Sequence, residues 1–281
     1  MNVVTLNLDK DFTPIAATEL QFDSFVFAGG EPHFKLNSDI ERNAQVIVTA
    51  RIRSFNDLGV LCLAADAIRR MGGILETLIL PYFPASRQDR VMVSGEALSV
   101  KVYADLINLL NFKRVVVYDA HSEVTAALVN NCELISNHSF IKKVIQNLGS
   151  ETLLVSPDGG ALKKIYKLSQ FLGGLPVIEC NKKRDVKTGK LSGFKVYSDD
   201  LKGADCLIVD DICDGGATFV GLAAELKKKN SGRLFLAVSH GIFSKGFEDL
   251  NCFDRIFTTD SFRNVNHELL TQLYLRDGLL S

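Results

Sequence analysis

Between Leu207 and Gly221 the chain reads LIVDDICDGGATFVG: an apolar run, two adjacent carboxylates, a third carboxylate, then Gly-Gly-Ala-Thr. Paired glycines after a strand let backbone N–H groups close on a phosphate at a helix N-terminus. Carboxylates repel phosphate, so Asp210, Asp211 and Asp214 make sense as partners of hydroxyls or a metal while the glycines hold the anion. A phosphorylated sugar offers both groups; a tight turn with a capping aspartate is the plainer alternative. In SRQDR, just past a proline, the fork of Arg87 suits triphosphate oxygens, with a surface ion pair as the alternative. His121 ends RVVVYDAH and Asp158 ends ETLLVSPD, each at the close of an apolar run and before a helical pattern. A lone histidine is ordinarily structural, and Asp158 alone reads as a helix cap. NKKRD opens a polar, glycine-containing stretch with no core residue beyond Leu191, which suits a mobile lid or an ordinary solvated loop.

Such residues need rigid elements behind them. Strand patterns fall at 45–50, 76–83, 114–120, 151–157, 176–181, 205–211, 233–240 and 255–260, and helical patterns at 56–71, 96–111, 122–130, 159–170, 216–229 and 264–275. Strands alternating with helices predict parallel sheets covered on both faces, with ligands at the carboxyl ends of the strands. RVVVYDAHSEVTAAL and CLIVDDICDGGATFVGL share the order strand, acidic loop, helix, so two α/β domains are expected, 1–138 and 139–281. At 281 residues and 47 % hydrophobic the chain can fill both cores, and a net charge of -1 gives no reason to expect nucleic acid or an anionic membrane. No apolar stretch is long enough to cross a bilayer, and the N-terminal sequence does not read as a signal peptide. The six scattered cysteines suit a reducing compartment, so a cytoplasmic protein is expected.

LPYFPASRQDR, SGEALSVKVYADLINLLNFKRVVVYDAHSE, VSPDGGALKK, NKKRD, VDDICDGGAT and VSHGIFS follow one another in an order that resembles the ribose-phosphate pyrophosphokinases, the phosphoribosyl-diphosphate (PRPP) synthetases. FAGGE at 27–31 is similar to that family's FSDGE loop. The resemblance implies two similar phosphoribosyltransferase-type (type I) α/β domains, each a mostly parallel sheet flanked by helices, and a homo-oligomer, a dimer or higher. It implies Mg²⁺-dependent transfer of the β,γ-diphosphoryl group of ATP to the anomeric hydroxyl of ribose 5-phosphate, supplying nucleotide or NAD synthesis. By the same resemblance Phe27, Glu31, Arg87, Gln88, Asp89 and His121 belong to the ATP site, and His121 and Asp158 to the metal. Lys182 and Arg184 match the catalytic pair of the lid; Asp210, Asp211, Asp214, Gly215, Gly216, Ala217 and Thr218 match the ribose-phosphate loop.

Three departures stand out. Gly215 occupies the family's usual threonine position and Ala217 its glycine position, which removes a hydroxyl donor to a terminal phosphate and opens space beside it. An acceptor with a larger 5′-substituent, such as ADP-ribose, is the expectation that follows, beside ribose 5-phosphate itself. VMVSGEAL lacks the basic residues of the family's regulatory segment, so phosphate activation and ADP inhibition are expected to be lost. The short N-terminal segment puts the usual ring assembly in doubt. A phosphoribosyltransferase would share the VDD…T loop without needing RQDR or His121, and a catalytically silent relative is the non-enzyme alternative.

Overall fold

A computed structural model describes residues 3–148, 151–184 and 191–280. The chain forms two compact units, Met1–Ser136 with Tyr274–Ser281, and Asn137–Leu273. Where the sequence suggested a division at 138, the units part at Ser136/Asn137, and the residues after Leu273 group with the first unit.

The first unit contains β1 (Val3–Asn7), β2 (Thr18–Glu19), a hairpin of β3 (Phe22–Val26) and β4 (Pro32–Leu36), β5 (Gln45–Thr49), α1 (Phe55–Arg70), β6 (Ile74–Leu80), α2 (Ser99–Asn108), β7 (Arg114–Tyr118), α3 (Glu123–Leu128) and β8 (Cys132–Ile135). Its parallel sheet runs β2-β1-β5-β6-β7-β8. Helix α1 starts at a capping box: the Asp57 amide donates to Ser54 Oγ and the Ser54 amide to Asp57 Oδ2. Its Leu58, Leu61, Ala64, Ala65 and Ile68 are buried in the core of this unit, beside Val46, Val48, Leu78 and Leu80. β-Branched and leucine side chains on strands covered from both faces are what a parallel sheet requires.

The second unit contains α4 (His138–Leu148), β9 (Leu153–Ser156), α5 (Leu162–Phe171), β10 (Val177–Arg184), β11 (Leu191–Val196), β12 (Cys206–Cys213), α6 (Ala217–Lys228), β13 (Leu234–Gly241), β14 (Arg255–Thr259) and β15 (Leu270–Leu273). Its sheet runs β11-β10-β9-β12-β13-β14-β15, antiparallel only between β10 and β11. The central strands β12 and β13 are nearly buried throughout.

Two expectations are corrected. Residues 264–275 are not a helix; Leu270–Leu273 pairs in parallel with β14. The Gln272 side chain takes up backbone groups that a helix would have used, donating to the carbonyls of Thr259 and Arg263 and accepting from the Val265 amide. After NKKRD, residues 185–190 lie outside the described residues. The rest of the expected lid belongs to β11, where Phe194 and Val196 are buried. Phe194 packs where Gly221 of α6 has no side chain: a Cβ there would lie 2.7 Å from the Phe194 ring.

Candidate active site

In the first unit, the segment after β6 holds RQDR, and the end of β7 holds YDAHSE. Arg87 is exposed and lines a cleft of about 480 Å³ with Tyr82, Ala85 and Gln88. The Gln88 side chain accepts a hydrogen bond from Ser99 Oγ, and its carbonyl takes the Val100 amide at 3.4 Å, so this segment is fastened to the start of α2. Asp89 differs from its neighbours. Its side chain is only 7 % exposed and lies 3.3 Å from Arg90 Nε. Burial acts to raise its carboxyl, but the hydrogen bond from Arg90, the nearby Ser122 hydroxyl and the charges of Arg90 and His121 bring it below the ordinary carboxylate value. Asp89 therefore joins RQDR to the His121 turn within one unit, which makes it a positioning residue as much as a ligand contact. The β3–β4 turn is closed by Phe27 N to Glu31 O at 2.9 Å and Gly30 N to Phe27 O at 2.8 Å, with Gly30 at φ +92°. Phe27 is half exposed, in edge contact with Phe25 at 4.8 Å. Another cleft of this unit, about 690 Å³, contains none of the expected residues; its Arg51 and Arg53 both reach Asp9 Oδ2.

In the second unit, Asp158 follows β9. Its Oδ1 accepts the amides of Gly160 and Ala161 at 3.0 and 3.1 Å, in the turn that leads into α5, and its Oδ2 is 2.6 Å from Lys182 Nζ on β10. Burial would raise the Asp158 carboxyl; the Lys182 contact and the two amides outweigh it and hold the carboxyl low. Arg184 ends β10. His121 belongs to the first unit and Asp158 to the second, and among the described residues no group of three or more His, Cys, Asp or Glu could hold a metal.

Asp210 and Asp211 lie inside β12 rather than in a loop, Asp210 in register with Val238. The Asp211 amide donates to Asp210 Oδ1 at 2.9 Å. Burial, then the charge of Asp211, push the Asp210 carboxyl well above its ordinary value. Asp214, Gly215 and Gly216 make the turn into α6. Gly216 caps the helix at φ +78°, and a Cβ there would sit 2.8 Å from Leu250 Cδ2, so both backbone and space favour glycine. Ala217 and Thr218 open the helix, where amides have no helical carbonyl to bind and can face an anion. Backbone donors thus adjoin a carboxylate pair, the arrangement a sugar phosphate asks for. The thiol of Cys213, at the end of β12, is pushed up to about 12 by burial, then by Asp210 and Asp214, and stays protonated.

Two features beside the site were not singled out as site residues in the sequence. His240, 2 % exposed, has Nδ1 2.7 Å from Ser261 Oγ, and Ser261 Oγ and Thr259 Oγ1 both donate to Ser239 O, which fixes the carboxyl ends of β13 and β14. Lys245 lies against Gly215. A histidine closing an apolar strand was visible as VSHG; the lysine carried no signal, because its neighbour in space is a residue without a side chain.

Residues 14–110 match the family described as the N-terminal domain of ribose phosphate pyrophosphokinase, and residues 129–270 match the phosphoribosyl transferase domain. The two parallel-dominated sheets and the turn before α6 define a chain of phosphoribosyltransferase-type domains. The chain belongs, more narrowly, to the ribose-phosphate pyrophosphokinase family and is an enzyme of that diphosphotransferase class. It is 29 % identical over 262 residues to a ribose-phosphate pyrophosphokinase of Mycoplasma genitalium, covering 89 % of this chain and 78 % of that one. It is 25 % identical over 249 residues to one of Corynebacterium efficiens, covering 86 % and 73 %. A crystal structure of phosphoribosylpyrophosphate synthetase from Mycobacterium smegmatis has the same fold, with a TM-score of 0.85 at 22 % identity over 100 % of this chain and 97 % of that one. Among the described residues, no helix is long and apolar enough to cross a membrane.

Proposed function

We propose that this enzyme moves the β,γ-diphosphoryl group of ATP to the anomeric hydroxyl of a ribose whose 5′-phosphate is itself substituted, with ADP-ribose as the acceptor and ADP-ribose pyrophosphate and AMP as products. The 1-hydroxyl oxygen bonds to the β-phosphorus as the bond from that phosphorus to the oxygen of the α-phosphate breaks, AMP departs, and the hydroxyl proton is lost. Asp210 and Asp211 hold the ribose hydroxyls, and the amides of Ala217 and Thr218 hold the 5′-phosphate. Lys182 and Arg184 offset charge that builds on the phosphoryl oxygens. The ATP side consists of Phe27, Glu31, Arg87, Gln88, Asp89 and His121, with Asp89 set beside Arg90 and the His121 turn.

Of the two residues expected at the metal, the carboxylate of Asp158 is the hard oxygen donor that Mg²⁺ takes, and with no three His, Cys, Asp or Glu converging among the described residues, the remaining positions would fall to ATP oxygens and water. When bound, Mg²⁺ would neutralise phosphoryl oxygens and lower the barrier to their attack. The activated anomeric carbon of the product suits consumption by a base-transferring step of nucleotide or NAD synthesis, in a homo-oligomeric cytoplasmic enzyme.

The observation that carries the acceptor assignment is Gly215, which leaves the phosphate turn without a side-chain hydroxyl; the space the sequence suggested beside it is taken by the stem of Lys245. The test is mass spectrometry of products formed from ATP, Mg²⁺ and each acceptor. ADP-ribose should gain 160 Da's worth of diphosphate, roughly two phosphoryl units, faster than ribose 5-phosphate does. A clear preference for ribose 5-phosphate makes the enzyme an ordinary PRPP synthetase, and release of diphosphate from PRPP with a free base would make it a phosphoribosyltransferase.

A further inference from the structure

Gly215 leaves a space, and Lys245 occupies it. A Cβ on Gly215 would stand 3.3, 3.4 and 3.6 Å from Cδ, Cε and Cγ of Lys245. The aliphatic stem therefore lies along the phosphate turn, and Nζ, one bond beyond Cε, is beside it on an exposed residue. The segment carrying this lysine is tightly held. Ile242 and Phe243 donate to Cys213 O at 2.9 and 3.1 Å, and Ser244 donates to Asp214 O at 3.2 Å, so the loop after β13 is stitched to the turn after β12. Phe243 is buried in the left-handed region at φ +46°, packed on Phe247 at 4.7 Å, with Arg263 Nη2 donating to its carbonyl at 3.1 Å. A phenylalanine keeps such a backbone only where its surroundings over-determine it.

Three other lysines of this unit have partners of their own. Lys182 is held by Asp158, Lys227 donates to Gly232 O at 2.6 Å, and Lys228 to Glu225 at 2.8 Å. Lys245, among the described residues, has neither an ion pair nor a side-chain hydrogen bond. A positive charge on a fixed loop, laid over a turn of backbone donors, has a specific use. The amides of Ala217 and Thr218 serve one phosphate, and a second phosphate joined to the first places its charge beyond them.

We propose that Lys245 binds the second phosphate of a diphosphate-linked ribose, and that glycine at position 215 lets the lysine's stem lie against the turn, where a Cβ would press on it at 3.3 Å from Cδ. The inference rests on the acceptor reading above and adds the residue that enforces it. Lys245 discriminates between acceptors: a ribose with a lone terminal phosphate leaves the lysine idle, whereas a diphosphate engages it.

The experiment measures kcat and KM for ADP-ribose and for ribose 5-phosphate, at saturating ATP and Mg²⁺, in the intact enzyme and in Lys245→Met, Lys245→Arg, Gly215→Thr and the double variant Gly215→Thr/Lys245→Met. Methionine keeps the stem on Gly215 and removes only the charge. Lys245→Met should lower the ratio of kcat/KM for ADP-ribose over ribose 5-phosphate by about tenfold to a hundredfold, as the loss of a charge-assisted contact predicts, mainly through KM. Lys245→Arg should keep the ratio within about threefold, since a cation remains. Gly215→Thr should lower the ratio too, and the double variant should fall no further than the worse single one, because both remove the same contact. A ratio that Lys245→Met leaves in place overturns the role of Lys245, and losses that simply add overturn the link between Gly215 and the lysine. The unaltered enzyme is scored separately: if it does not prefer ADP-ribose, the acceptor reading fails and takes this inference with it, whereas an ADP-ribose preference with an indifferent lysine removes this inference alone.

Discussion

At the scale of single residues, the ion pair of Lys182 with Asp158 is the contact that bears on the proposed chemistry. Their side chains are 24 % and 28 % exposed and meet at 2.6 Å, so the proposed catalytic cation is already paired within its own unit. Removing one partner of such a pair leaves the other charge poorly solvated, and activity and stability can both suffer. The two effects separate in kinetics. If Lys182 acts on charge that develops in the transition state, Lys182→Ala lowers kcat by about a hundredfold or more while KM for ATP moves far less. Steady-state kinetics on the folded fraction, with a melting curve beside it, decides the matter: a depressed Tm with near-normal kcat would make Lys182 a structural partner of Asp158 only. The thiols take no part, since burial pushes Cys132 and Cys206 to about 11 and Cys180 and Cys213 to about 12.

At the scale of elements, the central strands of the second unit are fastened by Asp205, which precedes β12 and accepts the amide, Nε and Nη2 of Arg233 at the start of β13 at 2.7, 3.0 and 2.6 Å. Burial would raise the Asp205 carboxyl, but these bonds and the Arg233 charge hold it low. A carboxyl depressed in the folded state adds stability above its unfolded value, near ~3.9, and loses that contribution as pH falls through the folded value. With Arg233 largely exposed and the pair screened, Asp205→Asn should cost on the order of 1 kcal/mol at pH 7 and progressively less as pH falls below ~3.9, a convergence that urea titrations at pH 7 and at successively lower pH values would reveal. A cost that persists at low pH would assign Asp205 to neutral hydrogen bonding instead. The strands flanking Asp205 were legible because continuous apolar runs such as CLIVD and RLFLAV admit few other structures. Residues 264–275 were not, because Leu269, Leu270 and Leu273 fit helical spacing, and only the open edge of β14 decides for a strand. The β3–β4 hairpin and β11 escaped for a related reason: FDSFV and FKV are short, and Phe194 declares itself a core residue only beside Gly221. The strand that carries Asp210 and Asp211 and the glycine turn into α6 were readable from order and type. The inward turn of Asp89 and the placement of Lys245 depend on neighbours remote in sequence.

At the scale of the whole molecule, each unit has its own core, and the proposed ligand groups divide between them. Phe27, Glu31, Arg87, Gln88, Asp89 and His121 belong to the first unit; Asp158, Lys182, Arg184, the 210–218 segment and Lys245 belong to the second. Ligands that bind only the native state stabilise what they touch by RT ln(1 + [L]/Kd), about 2.7 kcal/mol at a hundredfold excess over Kd, and local opening is suppressed where the contacts are made. Hydrogen exchange read by mass spectrometry should therefore resolve the two substrates. ADP-ribose alone should slow exchange at 212–220 and 242–246, the turn and the loop stitched to it. A non-hydrolysable ATP analogue alone should slow exchange at 27–31, 87–90 and 119–123. Gly216, held at positive φ with Leu250 behind it, already restrains the turn, so the largest change is expected at Gly215 and at the free first-turn amides of α6 rather than deeper in the helix. Protection by ADP-ribose confined to the first unit, with 212–220 exchanging as before, would move the acceptor out of the β12–α6 turn.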